Sequence, residues 1–204
     1  MKKLFISNAD ESVRMFSHDW MEFFTKVHFS VPLIIYMPLV SYFLYHSIQD
    51  PGLQMLMLAV LYFSGVFAWT GAEYFLHRFI FHYEPSTQWG QRLHFIMHGV
   101  HHDYPNDSMR LVMPPMVSIP LAIVFYFSFK LLISEPFLAP FYAGFVSGYL
   151  WYDMSHYAIH HANWKNKWFM TIKAHHLRHH FREPELGFGV SSFFWDKIMG
   201  TSSK

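Results

Sequence analysis

Histidine is the residue type in this sequence whose abundance and spacing point most directly to chemistry. The chain has 16 histidines and no cysteine among 204 residues, and 13 of the histidines lie in four short stretches. The stretches contain His77 and His82; His94, His98, His101 and His102; His156, His160 and His161; and His175, His176, His179 and His180. Because a neutral imidazole binds zinc, iron, copper or nickel through a ring nitrogen, the sequence predicts a nitrogen-ligated metal centre.

The spacing within the stretches predicts helices that present several imidazoles together. Two triplets have the spacing i, i+3, i+4, which places three side chains on one face of an α-helix. These triplets are His98, His101 and His102, and His176, His179 and His180. His156 and His160 form an i, i+4 pair. His77 and His82 are five residues apart, about 140° around an α-helix, so they need not serve the same ion, and one interpretation is that they bridge to two ions.

The number of clustered imidazoles indicates more than one ion. Ten imidazoles exceed what a single tetrahedral zinc uses, which favours two metal ions with about four or five nitrogens each. The ten candidate ligands are His77, His82, His98, His101, His102, His156, His160, His176, His179 and His180. His94, His161 and His175 are left as neighbours of the ligands or as solvent-facing residues. No catalytic group separate from the ligands is predicted.

Two carboxylates are placed to support the ligands. Glu73 lies four residues before His77, and Asp153 lies three before His156. A metal-bound imidazole usually donates its other N–H to a carboxylate or a carbonyl, so both acids are candidate partners of histidines. The alternative is that each carboxylate simply reaches the polar side of a membrane interface.

Four apolar segments must position these residues. Hydrophobic residues make up 52% of the chain and charged residues 14%, and segments of about 29–45, 53–76, 116–133 and 137–153 are long enough, or nearly so, to cross a membrane as helices. Short connectors at 46–52 and 134–136 predict two helical hairpins. Small residues such as Gly144 and Gly148 favour close helix contacts. We therefore expect an all-α integral membrane protein with a helical cap formed by residues 77–115 and 154–204.

The distribution of basic residues predicts the topology. Four crossings leave both termini and the connection between the hairpins on one face, and 14 of the 15 Lys and Arg residues fall there, with Lys130 the exception. Lys2 and Lys3 are among the 14. By the positive-inside rule this face is cytoplasmic, in the endoplasmic reticulum of a eukaryote or the inner membrane of a bacterium. A formal net charge of +1 predicts no nucleic-acid partner.

The first 28 residues form the predicted N-terminal region. Five apolar residues recur there at helical spacing, namely Phe16, Trp20, Phe23, Phe24 and Val27. They favour an amphipathic helix lying in the membrane interface, and an ordinary lead-in to the first span is the alternative. The region from 29 to 204 is the second predicted domain.

Several motifs resemble those of a known family. They are His77-Arg78-Phe79-Ile80-Phe81-His82, His98-Gly99-Val100-His101-His102, Arg110-Leu111-Val112-Met113-Pro114-Pro115, Tyr152-Asp153-Met154-Ser155-His156-Tyr157-Ala158-Ile159-His160-His161 and His176-Leu177-Arg178-His179-His180-Phe181. These stretches resemble the histidine boxes of the fatty acid hydroxylase superfamily, and most of all those of the fatty acid 2-hydroxylases. The tail at 187–192, followed by Trp195 and Asp196, is also similar to that subfamily.

The resemblance implies a function as well as a fold. It implies a dimetal site formed by the ten candidate histidines on a cytosolic cap over four transmembrane helices, with iron as the catalytic metal and zinc as a possible occupant of isolated protein. The implied reaction is hydroxylation at C2 of a fatty acyl chain, either free or N-linked in ceramide or another sphingolipid, by dioxygen. Because the sequence has no His-Pro-Gly-Gly haem motif, a separate electron donor is expected, such as cytochrome b5 with its reductase or a ferredoxin.

Two other kinds of function remain open at this stage. A related histidine-box sterol or carotenoid hydroxylase, or a desaturase, would share the metal site but accept another lipid. A non-enzymatic metal transporter or metal store is a more distant alternative. Transport predicts ionisable residues within the spans, whereas all four histidine stretches are expected on one side of the membrane.

Overall fold

The computed structural model describes residues 5–203, and all regular structure in that range is helical. Lys2 and Lys3, and the outermost residues of the predicted regions 1–28 and 29–204, lie outside the described range. The helices are α1 (Asp19–Phe23), α2 (Ser30–Gln49), α3 (Met55–Leu76), α4 (Gln88–His94), α5 (Val100–Asp103), α6 (Pro115–Lys130), α7 (Leu138–His161), α8 (Lys167–Phe181) and α9 (Phe194–Met199). The predicted all-α class is confirmed.

Each of the four apolar segments forms a helix, namely α2, α3, α6 or α7. Two helical stretches in the described part of the chain are long and apolar enough to cross a membrane, Ser30–Gln49 and Met55–Phe81. Helix α6 is apolar but has only 16 residues, and α7 has 24 residues, most of them buried in the protein. The arrangement of four membrane spans therefore stays a prediction.

Helix α7 lies at the centre of the fold and packs along both α3 and α2. Two glycines allow this approach: a Cβ atom on Gly144 would lie 1.9 Å from the carbonyl oxygen of Tyr62, and one on Gly65 would lie 1.9 Å from that of Phe141. In contrast, α2 and α3 touch little although a short turn joins them. The main helix pair is thus formed between the two predicted hairpins and not within one of them.

The N-terminal segment is mostly irregular. The amphipathic helix expected around Phe16 to Val27 is restricted to the five residues of α1. The physical reason lies in Glu22, whose carboxylate accepts hydrogen bonds from the backbone N–H groups of Met15 and Phe16 and so folds the preceding chain back on α1. Trp20 and Phe23 of this short helix remain exposed.

Two helix ends adopt π-helical turns, which are wider than α-helical ones. Helix α3 continues as a π-helical turn at His77–Phe81, and α4 continues as one at Phe95–Gly99 before α5 begins. Single π turns inside helices are uncommon and frequently occur at functional sites. Both turns carry histidines of the predicted metal centre.

Candidate metal centre

The ten predicted ligands assemble into two groups of five, which we call group 1 and group 2. Within each group one ring nitrogen of every histidine lies within 4.8 Å of the corresponding atoms of the others. Group 1 consists of His77, His82, His98, His102 and His179, and group 2 of His101, His156, His160, His176 and His180. The two groups adjoin, because the rings of His102 and His180 stack with centroids 4.3 Å apart. Ends of α3, α4, α5, α7 and α8 thus converge on one centre.

His77 and His82 lie in the same group, which favours one ion for both over the interpretation that they bridge to two ions. The backbone N–H of His82 donates to the carbonyl of His77 at 3.1 Å, the i to i+5 hydrogen bond of a π-helix. A π turn brings residues five apart onto nearly the same side of the helix, whereas an α-helix would separate them by about 140°. The ring centroids are 5.0 Å apart as a result.

Each i, i+3, i+4 triplet is divided between the groups. His98 and His102 lie in group 1, and His101 between them lies in group 2. The two residues four apart differ by only about 40° around an α-helix, whereas the middle residue is about 60° to 100° away from them. In α8, His176 and His180 lie in group 2 and His179 in group 1. Helix α8 therefore supplies ring nitrogens to both groups.

Burial keeps these imidazoles neutral. Burial, aided by the nearby His179 and His94 rings, lowers the pKa of His82 to about 3. Burial also lowers the pKa of His179 to about 4, although its hydrogen bond to the Leu186 carbonyl opposes the shift. Burial first, and then the other imidazoles, bring the pKa values of His101 and His102 well below the ordinary value of 6.5. At neutral pH these rings therefore carry free lone pairs.

Several ring nitrogens have no hydrogen-bond partner. In group 1 the Nε2 atoms of His82 and His179 are buried and unpaired, and in group 2 both ring nitrogens of His160 are. Other rings meet nitrogen to nitrogen, including His101 and His156, whose Nε2 atoms are 2.8 Å apart. Buried polar atoms are nearly always paired in proteins, so converging lone pairs without partners fit cations between them. An all-imidazole donor set suits a transition metal in each group.

Backbone carbonyls orient two histidines of group 1 through their Nδ1 atoms. His77 donates through Nδ1–H to the Phe188 carbonyl at 2.5 Å, and His179 donates through Nδ1–H to the Leu186 carbonyl at 2.7 Å. A proton on Nδ1 leaves Nε2 as the lone-pair atom and raises its basicity. Both acceptors belong to the loop between α8 and α9.

The carboxylates proposed as partners of histidines have backbone partners. Glu73 is buried and accepts hydrogen bonds from the N–H groups of Val190 and Ser191, at 2.7 and 2.9 Å, and from the Ser191 hydroxyl. Asp153 is fully buried and accepts from the Met113 N–H at 3.4 Å. Glu73 therefore anchors the same loop that supplies the carbonyl to His77.

The three remaining clustered histidines lie outside both groups. His161 stacks on Tyr157 with centroids 4.7 Å apart, and His94 is half-buried at the end of α4. His175 is bound through Nε2 to the Asp196 carboxylate at 3.2 Å. Their placement agrees with their exclusion from the ten candidate ligands.

A largely apolar cavity of about 290 Å³ borders the candidate metal centre. His98 of group 1 and His101 and His156 of group 2 are among the residues that line it. Its walls are formed by the N-terminal segment, by residues 110–114 and by the first turn of α6, where Val117 lies. Ligand sites are typically apolar clefts of this kind with a few polar groups at one end.

The fold and the site together define a class: helical proteins in which helix ends bring together two buried groups of imidazoles, each of which could hold a metal ion. The sequence model of the family described as "Fatty acid hydroxylase" matches residues 62–201. This chain belongs to the fatty acid hydroxylase family, and as a member it is a hydroxylating oxidoreductase.

Individual relatives agree with the family. The chain is 37% identical over 192 residues to dihydroceramide fatty acyl 2-hydroxylase FAH2 of Arabidopsis thaliana, covering 94% of this chain and 80% of that protein. It is 36% identical over 210 residues to fatty acid 2-hydroxylase of Homo sapiens, covering 93% of this chain and 56% of that protein. A solved structure described as full-length scs7p, with only the hydroxylase domain visible, superposes with a TM-score of 0.85 at 35% identity, over 91% of this chain and 70% of that one.

The spacing of the histidines does not predict every residue that supports the candidate metal centre. The Leu186 and Phe188 carbonyls are backbone atoms, which any residue type supplies. Arg110 and Asp196 occur in the stretches that resemble the family. Arg110 pairs with Glu22, 88 residues away, and Asp196 accepts from the N–H groups of Phe188 and Gly189 in the preceding loop. Only a resemblance of motifs could have singled them out.

Proposed function

We propose that this protein is a membrane-embedded dimetal monooxygenase that hydroxylates C2 of a fatty acyl chain, either free or N-linked in ceramide or another sphingolipid. The balanced reaction is R–CH2–CO–X + O2 + 2 e⁻ + 2 H⁺ → R–CHOH–CO–X + H2O. One oxygen atom enters the C2–H bond and the other leaves as water. The position C2 is taken from the relatives, whose names describe acyl 2-hydroxylation.

The observation that carries this proposal is an apolar cavity whose lining includes histidines of both groups. Its apolar walls match the chemistry of an acyl chain, and a chain bound with its polar end toward His98, His101 and His156 would place C2 beside the metal positions. Water is disfavoured in such a space, which protects an oxidant and keeps electrons on the productive reaction.

The ten histidines are proposed as the ligands of two iron ions, with zinc able to occupy the same nitrogens in isolated protein. Bound iron would supply the activation of dioxygen that C–H hydroxylation requires. The protein's own residues hold the two metal positions next to each other, orient His77 and His179 through the Phe188 and Leu186 carbonyls, and align the acyl chain. No side chain outside the ligand set is needed as an acid or a base.

We further propose four membrane spans, with both termini and the cap of 77–115 and 154–204 on the cytoplasmic side. The 14 to 1 division of basic residues supports this orientation. Exposed apolar side chains on α2, α3 and α6, such as Ile34, Leu56 and Val124, support contact of these helices with lipid. The two electrons would come from a separate protein, such as cytochrome b5 with its reductase or a ferredoxin.

The test uses purified protein loaded with Fe(II) and given a reducing system, dioxygen and a ceramide whose acyl chain carries deuterium at C2. We expect a 2-hydroxyacyl product that has lost one deuterium, detected by mass spectrometry. His160→Ala removes a proposed ligand and should abolish the product, whereas the adjacent His161→Ala lies outside both groups and should retain activity. A hydroxyl at another carbon, or a double bond, would reassign the protein to a related histidine-box hydroxylase or desaturase.

Metal content gives a second measurement that does not depend on the substrate. Two metal ions per chain are expected in wild-type protein, and about one in His160→Ala. Wild-type protein that binds metal no better than the double variant His82→Ala, His160→Ala would contradict the dimetal assignment.

A further inference from the structure

The loop between α8 and α9 is held by the carboxylate of Asp196, a fully buried residue in α9. Its Oδ1 atom accepts from the Phe188 N–H at 2.9 Å and from the Thr201 hydroxyl at 2.8 Å. Its Oδ2 atom accepts from the Gly189 N–H at 2.8 Å and from His175 Nε2 at 3.2 Å. Both oxygens are therefore occupied, and two of the four bonds go directly to the loop backbone.

The loop geometry requires this close approach of carboxylate and backbone. A Cβ atom on Gly189 would lie 2.9 Å from Asp196 Oδ2 and 2.0 Å from the Ser192 carbonyl oxygen, so a larger residue does not fit. Gly187 has a φ of +74°, a left-handed conformation that glycine adopts readily. The Gly187 N–H also donates to the Thr201 carbonyl at 2.8 Å. Asp196 thus holds the backbone at residues 188 and 189, and the Thr201 carbonyl holds it at residue 187.

The fixed loop presents the two carbonyls that orient ligands of group 1. The Phe188 carbonyl accepts from His77 Nδ1, and the Leu186 carbonyl accepts from His179 Nδ1. Phe188 thus uses its N–H for Asp196 and its carbonyl for His77. A shift of this peptide would turn the His77 ring.

We infer that Asp196 is a positioning residue for group 1: it holds the Leu186–Gly189 backbone so that His77 and His179 keep Nε2 directed into the metal position. This inference rests on the proposed function, in which group 1 binds an ion. Within the described part of the chain, neither Asp196 nor the loop that it holds forms a hydrogen bond with a histidine of group 2. The effect of Asp196 should accordingly be selective for one of the two ions.

The test is metal binding by the whole 204-residue chain. Co(II) is the probe, because its absorption spectrum reports the geometry of its ligands. Asp196→Asn replaces one carboxylate oxygen with an NH2 group, which donates. The two loop N–H groups bond to different oxygens in wild type, so one of them loses its acceptor. We expect the affinity for one Co(II) ion to fall about 10- to 100-fold, with the other unchanged, as is usual when a partner behind a metal ligand is lost. The Co(II) spectrum should change for that ion alone.

The matched control is His175→Gln, which retains an N–H donor toward Asp196 and removes an imidazole that lies outside both groups. Its affinities for both ions should stay close to those of wild type. Thr201→Ala removes one of the four hydrogen bonds to Asp196 and should lower the affinity for the same ion by a smaller factor. This variant gives a measurement even if Asp196→Asn does not fold.

The outcomes are distinguishable. Two unchanged affinities in Asp196→Asn, or an equal loss of both ions in Thr201→Ala, would overturn the positioning role while leaving the dimetal proposal in place. Absence of Co(II) binding by wild-type protein would instead overturn the proposed function.

Discussion

Arg110 and Glu22 form a buried ion pair with a distance of 2.6 Å between Nη2 and Oε1, joining the N-terminal segment to the wall of the cavity. Arg110 also donates to the Val13 carbonyl at 2.5 Å and to Asp107 at 3.3 Å. Glu22 in turn accepts from the N–H groups of Met15 and Phe16. These contacts hold residues 13–25 over the cavity that borders the histidines.

Glu22→Ala should loosen the N-terminal segment. Breaking this pair is expected to cost about 2 kcal/mol, between the values typical of exposed and fully buried pairs. The measurement is thermal unfolding in detergent together with limited proteolysis of residues 13–25. The control is Asp19→Asn, which removes an ion pair of the same 2.6 Å length whose side chains are 55% and 92% exposed and which should cost almost nothing. Equal effects of the two variants would contradict a role for burial.

Acid should release the same segment. Desolvation alone would raise the pKa of Glu22, but the Met15 and Phe16 N–H groups and the Arg110 guanidinium hold it below the ordinary value of 4.5. A carboxyl whose pKa is lower in the folded chain stabilises the fold above its unfolded pKa, and this contribution is lost as pH falls through the folded pKa. Protection factors for hydrogen exchange in residues 13–25, which are corrected for the intrinsic slowing of exchange in acid, should therefore fall below about pH 4.5. In Glu22→Gln this pH-dependent step should be missing.

Replacement of two neighbouring histidines should remove different metal ions from the protein. His101→Ala should reduce metal binding at group 2, and His102→Ala at group 1, because the two rings belong to different groups. Each variant should retain about one ion per chain, measured by elemental analysis. Combining His102→Ala with His82→Ala should cause no further loss of ions, whereas combining it with His101→Ala should remove both. Identical behaviour of the two combinations would contradict the division into groups.

The contact between α3 and α7 should tolerate no added methyl group. Gly144→Ala would place Cβ 1.9 Å from the Tyr62 carbonyl, an atom of a helix backbone that cannot move aside alone. We expect a loss of about 2 kcal/mol or more, measured as a lower unfolding temperature. Gly71→Ala is the control, since its new Cβ would meet its nearest neighbour, Trp195, at an ordinary 3.4 Å.

Filling the cavity should reduce turnover of long acyl chains. Val117 lines the cavity at the start of α6, so Val117→Trp should lower the rate of 2-hydroxyacyl product formation several-fold while both metal ions stay bound. Val124→Trp lies on the same helix at a side chain that is 60% exposed, and it should keep the wild-type rate. Equal rates in the two variants would argue against the cavity as the acyl-chain site.

Much of the fold could be predicted because helix formation follows from local patterns. Continuous apolar segments predicted α2, α3, α6 and α7 within a few residues of their ends, apart from α7, which runs on to His161. Side-chain spacing also identified the helices that carry the ligands. The amphipathic helix expected before α2 was predicted too long, because Glu22 bonds to backbone groups outside the helix and the apolar spacing carries no sign of this.

The sequence by itself determined which ten histidines could act together, since residue type and helical spacing are written along the chain. Only the tertiary structure decided how they divide between two positions. A π turn places His82 beside His77, and this backbone change has no signature in the spacing of the side chains. The partners of His77 and His179 are backbone carbonyls, which all residues share, so their selection depends on where Asp196 and Glu73 hold the loop. Local periodicity is a property of the chain, whereas the meeting of distant helix ends is a property of packing.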